Sequence, residues 1–339
     1  MSRRDIGTDD ARVRVRPPRS SRPRTKDRPK HADAVTGFVF AVDRGRYGVL
    51  LPDGTRIVAM KARELGRGRV VVGDQARVVG DLSGRKDTLA RIVGLEPRAT
   101  QLRRSAEDGD LAGHERVVVA NAQQLVVVTA LADPPPRVRM IDRYLVAAYD
   151  AGMEPVLCLT KADLADPSEL LAAYRPLGVR SLVVAFPPSG QDPDLTEVET
   201  LLTGQVSVLV GHSGVGKSTL VNALTGAERA TGDVNDVTGR GRHTSTSAVA
   251  LPLPAGGWVI DTPGVRSFGL AHVQDDDVLR AFADLAAAAA DCPRGCPHTA
   301  TAPECALSAP GRDEVFAARV DSYRRLMAAR LGPDHDPRP

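Results

Sequence analysis

Long apolar runs are missing from this chain of 339 residues: none approaches the roughly 18 uninterrupted residues of a membrane-spanning helix. The arginines near the N-terminus have no apolar stretch behind them, so a secretory signal is not expected and the protein is expected in the cytoplasm, with no membrane partner. Cysteine is scarce, with four residues in all. Cys158 lies inside an apolar strand pattern, whereas Cys292, Cys296 and Cys305 fall within fourteen residues of one another. That placement speaks against a disulfide framework, and in a cytosolic chain such a cluster points to a metal. No long internal repeat is present.

Charge is close to balanced, at +3 overall, but it is unevenly distributed. Residues 1–31 carry eleven Lys/Arg against four Asp, while the rest holds 34 basic and 38 acidic residues. A basic, Pro-rich arm of residues 1–33, read as disordered, suits the neutralisation of nucleic-acid phosphates. A solubilising tail without a partner is the other reading, and the arm by itself does not separate the two.

From Val35 to about Glu96 short β-type runs alternate with turns. Val35–Val42, Tyr47–Leu51, Thr55–Met60, Val70–Val72, Ala76–Val79 and Leu89–Val93 fit a small barrel of the OB type spanning residues 34–98. Arg98 to Glu115 reads as a linker. Beyond it, apolar runs at Leu125–Val128, Glu154–Leu159, Ser181–Val184 and Val206–Val210 alternate with helical patterns such as Arg139–Ala151. Continuous apolar strands separated by helices imply a parallel sheet covered on both faces, so residues 99–272 are expected to form an α/β domain. Residues 273–332 read as helical around the cysteine cluster, followed by a tail at 333–339.

Gly211-His212-Ser213-Gly214-Val215-Gly216-Lys217-Ser218-Thr219 is a phosphate-binding loop between a strand pattern and a helix pattern. Its glycines let backbone N–H groups turn toward a β-phosphate, Lys217 neutralises β/γ oxygens, and Ser218 offers a hydroxyl to Mg²⁺. The helix from Thr219 to Leu224 points its positive end at the phosphates. Forty-four residues after Lys217, Val259-Ile260-Asp261-Thr262-Pro263-Gly264 puts a carboxylate at a strand end, where Mg²⁺ needs a supporting group, and a free Gly264 N–H near a γ-phosphate. Between them lies a Gly/Thr/Ser-rich segment in which Thr244, Ser245 or Thr246 could reach Mg²⁺ and His243 could position the attacking water. An exposed histidine on a mobile loop is the alternative for His243.

Thr160-Lys161-Ala162-Asp163 closes the strand before this. A carboxylate there accepts two hydrogen bonds from guanine N1–H and N2–H₂, with the Lys161 stem over the base plane. Thr160 stands where the usual motif begins with Asn, an exchange expected to weaken the orienting contact while keeping the guanine-reading carboxylate. The guanine motif precedes the phosphate loop instead of following it, so the domain is expected to be circularly permuted, with the barrel attached upstream near the guanine side and the switch loops leading into the C-terminal segment. Cys292-x₃-Cys296-x-His298-x₆-Cys305 supplies three thiolates and an imidazole, a full tetrahedral set for one structural Zn²⁺ per chain.

T-K-A-D, G-H-S-G-V-G-K-S-T, G-R-H-T-S-T and D-T-P-G in that order, with the cysteine cluster last, resemble the RsgA (YjeQ) family of ribosome small-subunit-dependent GTPases. The likeness includes Ala120-Asn121-Ala122-Gln123-Gln124 and Ile141-Asp142-Arg143-Tyr144-Leu145. It implies an OB-fold barrel, a circularly permuted P-loop GTPase domain and a helical zinc domain in one monomeric chain. It further implies GTP hydrolysis to GDP stimulated by the 30S subunit late in its maturation, with the barrel and basic arm on rRNA and His243 as the catalytic residue. The segment Val184 to Gly190 stands where the family has a Ser-containing guanine-supporting loop. Two other readings remain at this level: a nucleotide-dependent binding module with incidental hydrolysis, and an ATPase or small-molecule kinase, which Asp163 disfavours.

Overall fold

Val35–Asp43 (β1) and Arg46–Leu50 (β2) form a hairpin whose two loop residues, Arg44 and Gly45, both have positive φ (39° and 84°). That is the turn whose twist matches a right-handed strand pair. A second turn, at Pro52-Asp53-Gly54, leads to Arg56–Lys61 (β3), which pairs with β2; Gln75–Gly80 (β4) and Ala90–Leu95 (β5) follow. The pairings β1–β2, β2–β3, β3–β5, β5–β4 and β4–β1 close a five-stranded barrel, as the strand-and-turn pattern predicts. Val39, Val49, Ile57, Ala76, Val78 and Ile92 fill it. Val70–Val72, expected as a strand, makes only an isolated bridge from Val72 to Val119.

These elements belong to a computed structural model that describes residues 31–66, 69–105, 115–187, 193–226, 248–262, 270 and 273–331. The basic arm up to residue 30 lies outside them. From Asp33 onward the chain packs as one compact unit. Among the described residues no helix is long and apolar enough to cross a membrane.

The segment expected as a linker is partly strand. Gln101–Ser105 (β6) pairs antiparallel with Glu115–Ala120 (β7) in a separate ribbon. Its outer end is anchored to the barrel. Asp74, fully buried, accepts Arg98 Nε at 2.7 Å, Arg98 Nη2 at 2.9 Å and the Val71 N–H at 2.8 Å. Asn121, at φ 55°, accepts the Ala99 N–H and donates Nδ2 to the Gly73 carbonyl. Gly73 itself sits at φ 91°, and a Cβ there would lie 1.9 Å from the Ala120 carbonyl oxygen, so no side chain fits.

The α/β region contains Gln124–Ala130 (β8), Val138–Asp150 (α1), Glu154–Thr160 (β9), Ser168–Tyr174 (α2), Arg180–Val184 (β10), Thr196–Leu202 (α3), Val206–Val210 (β11), Lys217–Thr225 (α4), Val249–Pro252 (β12) and Trp258–Asp261 (β13). The sheet order is β10-β9-β8-β11-β13-β12, parallel except for β12, which runs antiparallel to β13. Alternation along each strand sends Leu125, Val127, Leu157 and Val208 to one face, and Val126, Val128, Val156 and Leu209 to the other. The first face is covered by α1 and the C-terminal helices, the second by α3 and α4.

The barrel joins this sheet at the edge opposite the guanine side. Strand β1 pairs antiparallel with β12 at Ala41 and Val249, making one eleven-stranded sheet. In β1, Val39 points into the barrel, while Phe38 stacks on Trp258 of β13 (centroids 4.9 Å) and Phe40 enters the main core. The expectation that the barrel sits near the guanine motif is therefore overturned. The chain crosses over through the β6–β7 ribbon, so attachment in sequence and attachment in space differ.

Asp275–Leu279 (α5), Ala283–Ala289 (α6) and Glu314–Leu331 (α7) close the molecule. Helix α7 lies on α1, where Phe316, Val320, Tyr323 and Leu326 join the core. Asp142 of α1, almost fully buried, binds Arg325 Nε at 3.1 Å and the Tyr174 hydroxyl at 2.9 Å.

Candidate active site

All the predicted nucleotide motifs within the described residues lie at carboxyl ends of parallel strands, the edge where open α/β sheets bind ligands. The phosphate loop follows β11, Thr160 ends β9 and Asp261 ends β13. Two further exits join them: the loop after β8, with Asp133, which the sequence reading did not flag, and the loop after β10, with Phe186, in the segment that the family likeness sets against a guanine-supporting loop. Together they surround a cleft of about 670 Å³ lined by Asp133, Lys161, Asp163, Leu164, Phe186, Gly211 to Gly214, and Gly216 to Thr219.

The phosphate loop is shaped by close approach. A Cβ on Gly211 would stand 2.3 Å from the Val128 carbonyl oxygen, so the loop can turn there only over a bare Cα. Gly214 and Gly216 take φ 84° and 85°, and Gly216 is the residue from which α4 starts. Helix α4 therefore begins at Lys217, two residues before the predicted start, and its first turn faces the cleft. His212, Ser213, Ser218 and Thr219 line the cavity, and the His212 ring lies 2.9 Å from the Ser213 carbonyl.

Val215 is buried instead of lining the cleft, and so is Thr160. The two are bonded: the Thr160 hydroxyl donates to the Val215 carbonyl at 2.6 Å, with the Thr129 carbonyl 3.2 Å away. The residue expected to weaken the orienting contact thus holds the phosphate loop from beneath.

Lys161, at φ 59°, extends to the Asp133 carbonyl, which its Nζ contacts. Asp163 faces the cleft and accepts the Phe186 N–H at 2.9 Å. Asp261 is buried, and its Oδ1 stands 3.1 Å from Lys217 Nζ. Thr262 is held by its hydroxyl, which donates to the Leu209 carbonyl at 3.3 Å. His243, Thr244, Ser245, Thr246 and Gly264 lie outside the described residues.

Cys292, Cys296, His298 and Cys305 come together, their four donor atoms all within 4.8 Å of one another. The Sγ atoms of Cys292 and Cys305 lie 3.6 and 3.8 Å from His298 Nδ1. A tetrahedron with metal–ligand bonds of about 2.0–2.3 Å has edges of about this length. The Ala306 N–H points at Cys292 Sγ from 3.2 Å, a donor that favours a thiolate. Burial raises the Cys305 thiol, but hydrogen bonds from His298, the Leu307 backbone, Cys296 and Cys292 together outweigh it and bring the group down to about 7. Arg324 of α7 clamps the loop, bonding the His298 carbonyl at 2.9 Å and Ser308 Oγ at 2.6 Å. The chemistry of the donor set fits a structural metal ion, with four protein ligands and no open position.

Comparison with known proteins agrees with this geometry. A family profile described as RsgA GTPase matches residues 95–271. The chain is 42% identical over 254 residues to the "Small ribosomal subunit biogenesis GTPase RsgA" of Pseudomonas aeruginosa, covering 72% of each chain. A protein of the same name from Ectopseudomonas mendocina is 41% identical over 247 residues, covering 70% of this chain and 69% of its own. Among solved structures, YjeQ from Thermotoga maritima superposes with a TM-score of 0.62 at 24% identity, over 88% of this chain and 99% of the other. YloQ, "a circularly permuted GTPase", superposes at 0.61 and 21% identity, over 92% and 100%.

Proposed function

Since the chain belongs to the RsgA GTPase family, we propose that it binds the small ribosomal subunit late in its maturation and hydrolyses GTP to GDP and phosphate under stimulation by that subunit. The observation that carries this reading is the single cleft in which Asp163, the phosphate loop and the Lys217–Asp261 pair converge.

In that cleft Asp163 accepts the two guanine donors and the Lys161 stem covers the base. The amides of the phosphate loop and the first turn of α4 hold the phosphates, and Lys217 moves from Asp261 to the β/γ oxygens. Ser218 and Asp261 would hold Mg²⁺, with one of Thr244, Ser245 and Thr246; the ion's chemistry is to neutralise charge building up on the transferred phosphoryl group. Gly264 N–H meets the γ-phosphate and His243 positions the attacking water. Cys292, Cys296, His298 and Cys305 would hold one Zn²⁺, whose contribution there would be to cross-link the loop that α7 braces.

Two features support rRNA as the stimulating partner. Across β2, β3 and β5 the outer barrel surface places Arg46, Met60 and Arg91 in register, all exposed. The basic arm of residues 1–31 adds further charge for phosphate contact. The barrel is in turn hydrogen-bonded to β12, the strand that follows residues 227–247, so a load on the barrel reaches the switch segment through the main chain. The protein acts as a cytoplasmic monomer, with the barrel at 34–98, the GTPase domain at 99–272 and the zinc domain at 273–332.

The test is the GTPase rate of purified protein with and without 30S particles. Stimulation is expected, lost on His243→Ala with GTP affinity kept. Equal rates with and without the subunit would refute the proposal.

A further inference from the structure

We propose that Asp133 is the sugar-reading residue of the nucleotide site: its carboxylate accepts hydrogen bonds from the ribose hydroxyls and so favours ribonucleotides over their deoxy forms. This rests on the reading of Asp163 and the phosphate loop as the two ends of one GTP site.

Position is the first argument. Strand β8 ends at Ala130, and the Leu131 N–H donates to the Thr160 carbonyl at 3.0 Å, so the loop after β8 runs beside the guanine motif. Asp133 in that loop borders the cleft. On one side its carbonyl is contacted by Lys161 Nζ, whose stem covers the base. On the other side Pro134 reaches the phosphate loop, for a Cβ on Gly214 would stand 3.5 Å from Pro134 Cδ. Asp133 therefore lies between the residue beside the base and the loop around the phosphates. In a nucleotide the group between base and phosphates is the sugar.

Chemistry is the second. Asp53, Asp81 and Asp194 each turn back on their own loop, accepting the N–H two residues on, from Thr55, Ser83 and Thr196. Asp133 is barred from that arrangement, because Pro134, Pro135 and Pro136 follow it and have no N–H to give. Its side chain is exposed, and among the described residues the carboxylate has no hydrogen-bond or ion-pair partner. A phosphate would be repelled by this group. The two ribose hydroxyls are neutral donors, and an ionised carboxylate has an oxygen for each. Carboxylates read ribose in this way where dinucleotides bind at the ends of parallel strands. Asp133 also sits at φ 51°, a conformation that glycine takes more readily, so the side chain is kept at some backbone cost.

Calorimetric titration of the full-length protein with unlabelled GDP, 2′,3′-dideoxy-GDP and ADP tests the assignment; a dye carried on the ribose would occupy the hydroxyls in question. The parent should prefer GDP to the dideoxy form by about 10- to 150-fold, the range for hydrogen bonds to a charged group. Asp133→Gly removes the carboxylate at a φ that glycine favours and keeps the carbonyl that Lys161 contacts. It should bind GDP as weakly as the parent binds the dideoxy form, and bind the dideoxy form within about twofold of the parent. Asp133→Asn keeps an uncharged acceptor and should retain a preference of about two- to tenfold. A parent that binds GDP and 2′,3′-dideoxy-GDP equally would overturn the proposal. So would an Asp133→Gly protein that loses affinity for both alike, since the carboxylate would then act on Lys161 or the loop. The reading beneath it fails separately: a parent that binds ADP as tightly as GDP, with its preference for ribose intact, would remove guanine selection by Asp163 and leave the sugar contact standing.

Discussion

Replacing Thr160 with valine tests whether the phosphate loop is held from below. Thr160 is fully buried, and its Oγ1 lies 2.6 Å from the Val215 carbonyl in the middle of the loop. Valine keeps the branched shape, so packing against β8 and α4 changes little, and what is lost is the donor. A buried carbonyl deprived of its partner costs about 1–3 kcal/mol. If the loop stays ordered only when nucleotide is bound, that cost is drawn from binding, and GDP affinity falls by about 5- to 150-fold. If the loop stays ordered throughout, the cost appears as stability instead, about 2–4 °C of melting temperature per kcal/mol in a large domain. Titration of fluorescent GDP together with a thermal scan captures both outcomes. Thr160→Ser, which keeps the hydroxyl, should match the parent in each. A Thr160→Val protein with GDP affinity within twofold of the parent and an unchanged melting temperature would refute the reasoning.

Removing the Asp74 carboxylate as Asp74→Ala leaves the part-exposed Arg98 guanidinium with the Arg69 carbonyl and the Val71 N–H without its acceptor, and should cost about 1–3 kcal/mol; hydrogen exchange should rise in β4 and the β6–β7 ribbon but not in the phosphate loop, and unchanged protection in β4 and the ribbon would count against the anchor. Burial pushes the Cys158 thiol up to about 12, far above the pH of a thiol assay, so it stays protonated and unreactive while the fold holds. A chelator should therefore expose three thiols to a disulfide reagent and a denaturant the fourth; four reactive thiols in the folded, metal-loaded protein would contradict this. Phe38→Ala breaks the stack on Trp258, a contact worth about 0.5–1.5 kcal/mol beyond its buried area. It should lower 30S-stimulated GTP hydrolysis about two- to tenfold without altering the intrinsic rate, and stimulation equal to the parent's would argue against transmission through β13.

What could be read from the sequence was what local chemistry dictates. Gly211 to Thr219 announces itself because a loop that wraps phosphates needs glycines at fixed places, and β11 appears at Val206–Val210, as its apolar run predicts. The cysteine cluster was legible because four soft donors seldom gather by accident. What escaped depends on contacts distant in sequence. Val70–Val72 has strand composition, but its neighbour is the ribbon end at Val119, which leaves room for one bridge only. The part played by Thr160 is invisible until β9 sets it under Val215, 55 residues later. Phe186 lies in the segment that the family likeness sets against a guanine-supporting loop, whereas Asp133 carries no motif; the signal that could have found it is position, since it sits where a parallel strand exits toward the ligand edge. The family likeness at Ala120 to Gln124 likewise acquires a cause only in space. Asn121 bonds the barrel at Gly73, and Gln123 Oε1 accepts the Val206 N–H at the foot of β11.

The permuted order has a mechanical consequence that the two flanking regions make specific. In the sheet, β11 and β13 are adjacent, and β12 forms the edge that the barrel extends. Residues 227–247 link α4, which starts at the phosphate loop, to β12, which is hydrogen-bonded to the barrel. Residues beyond Asp261 lead toward the helices that brace the cysteine cluster. The chain after α4 therefore leads to the strand that carries the barrel, and the chain after β13 leads to the helices around the cysteine cluster. The Asp142–Arg325 and Arg324–His298 contacts hold α7 to α1 and the cysteine-cluster loop to α7.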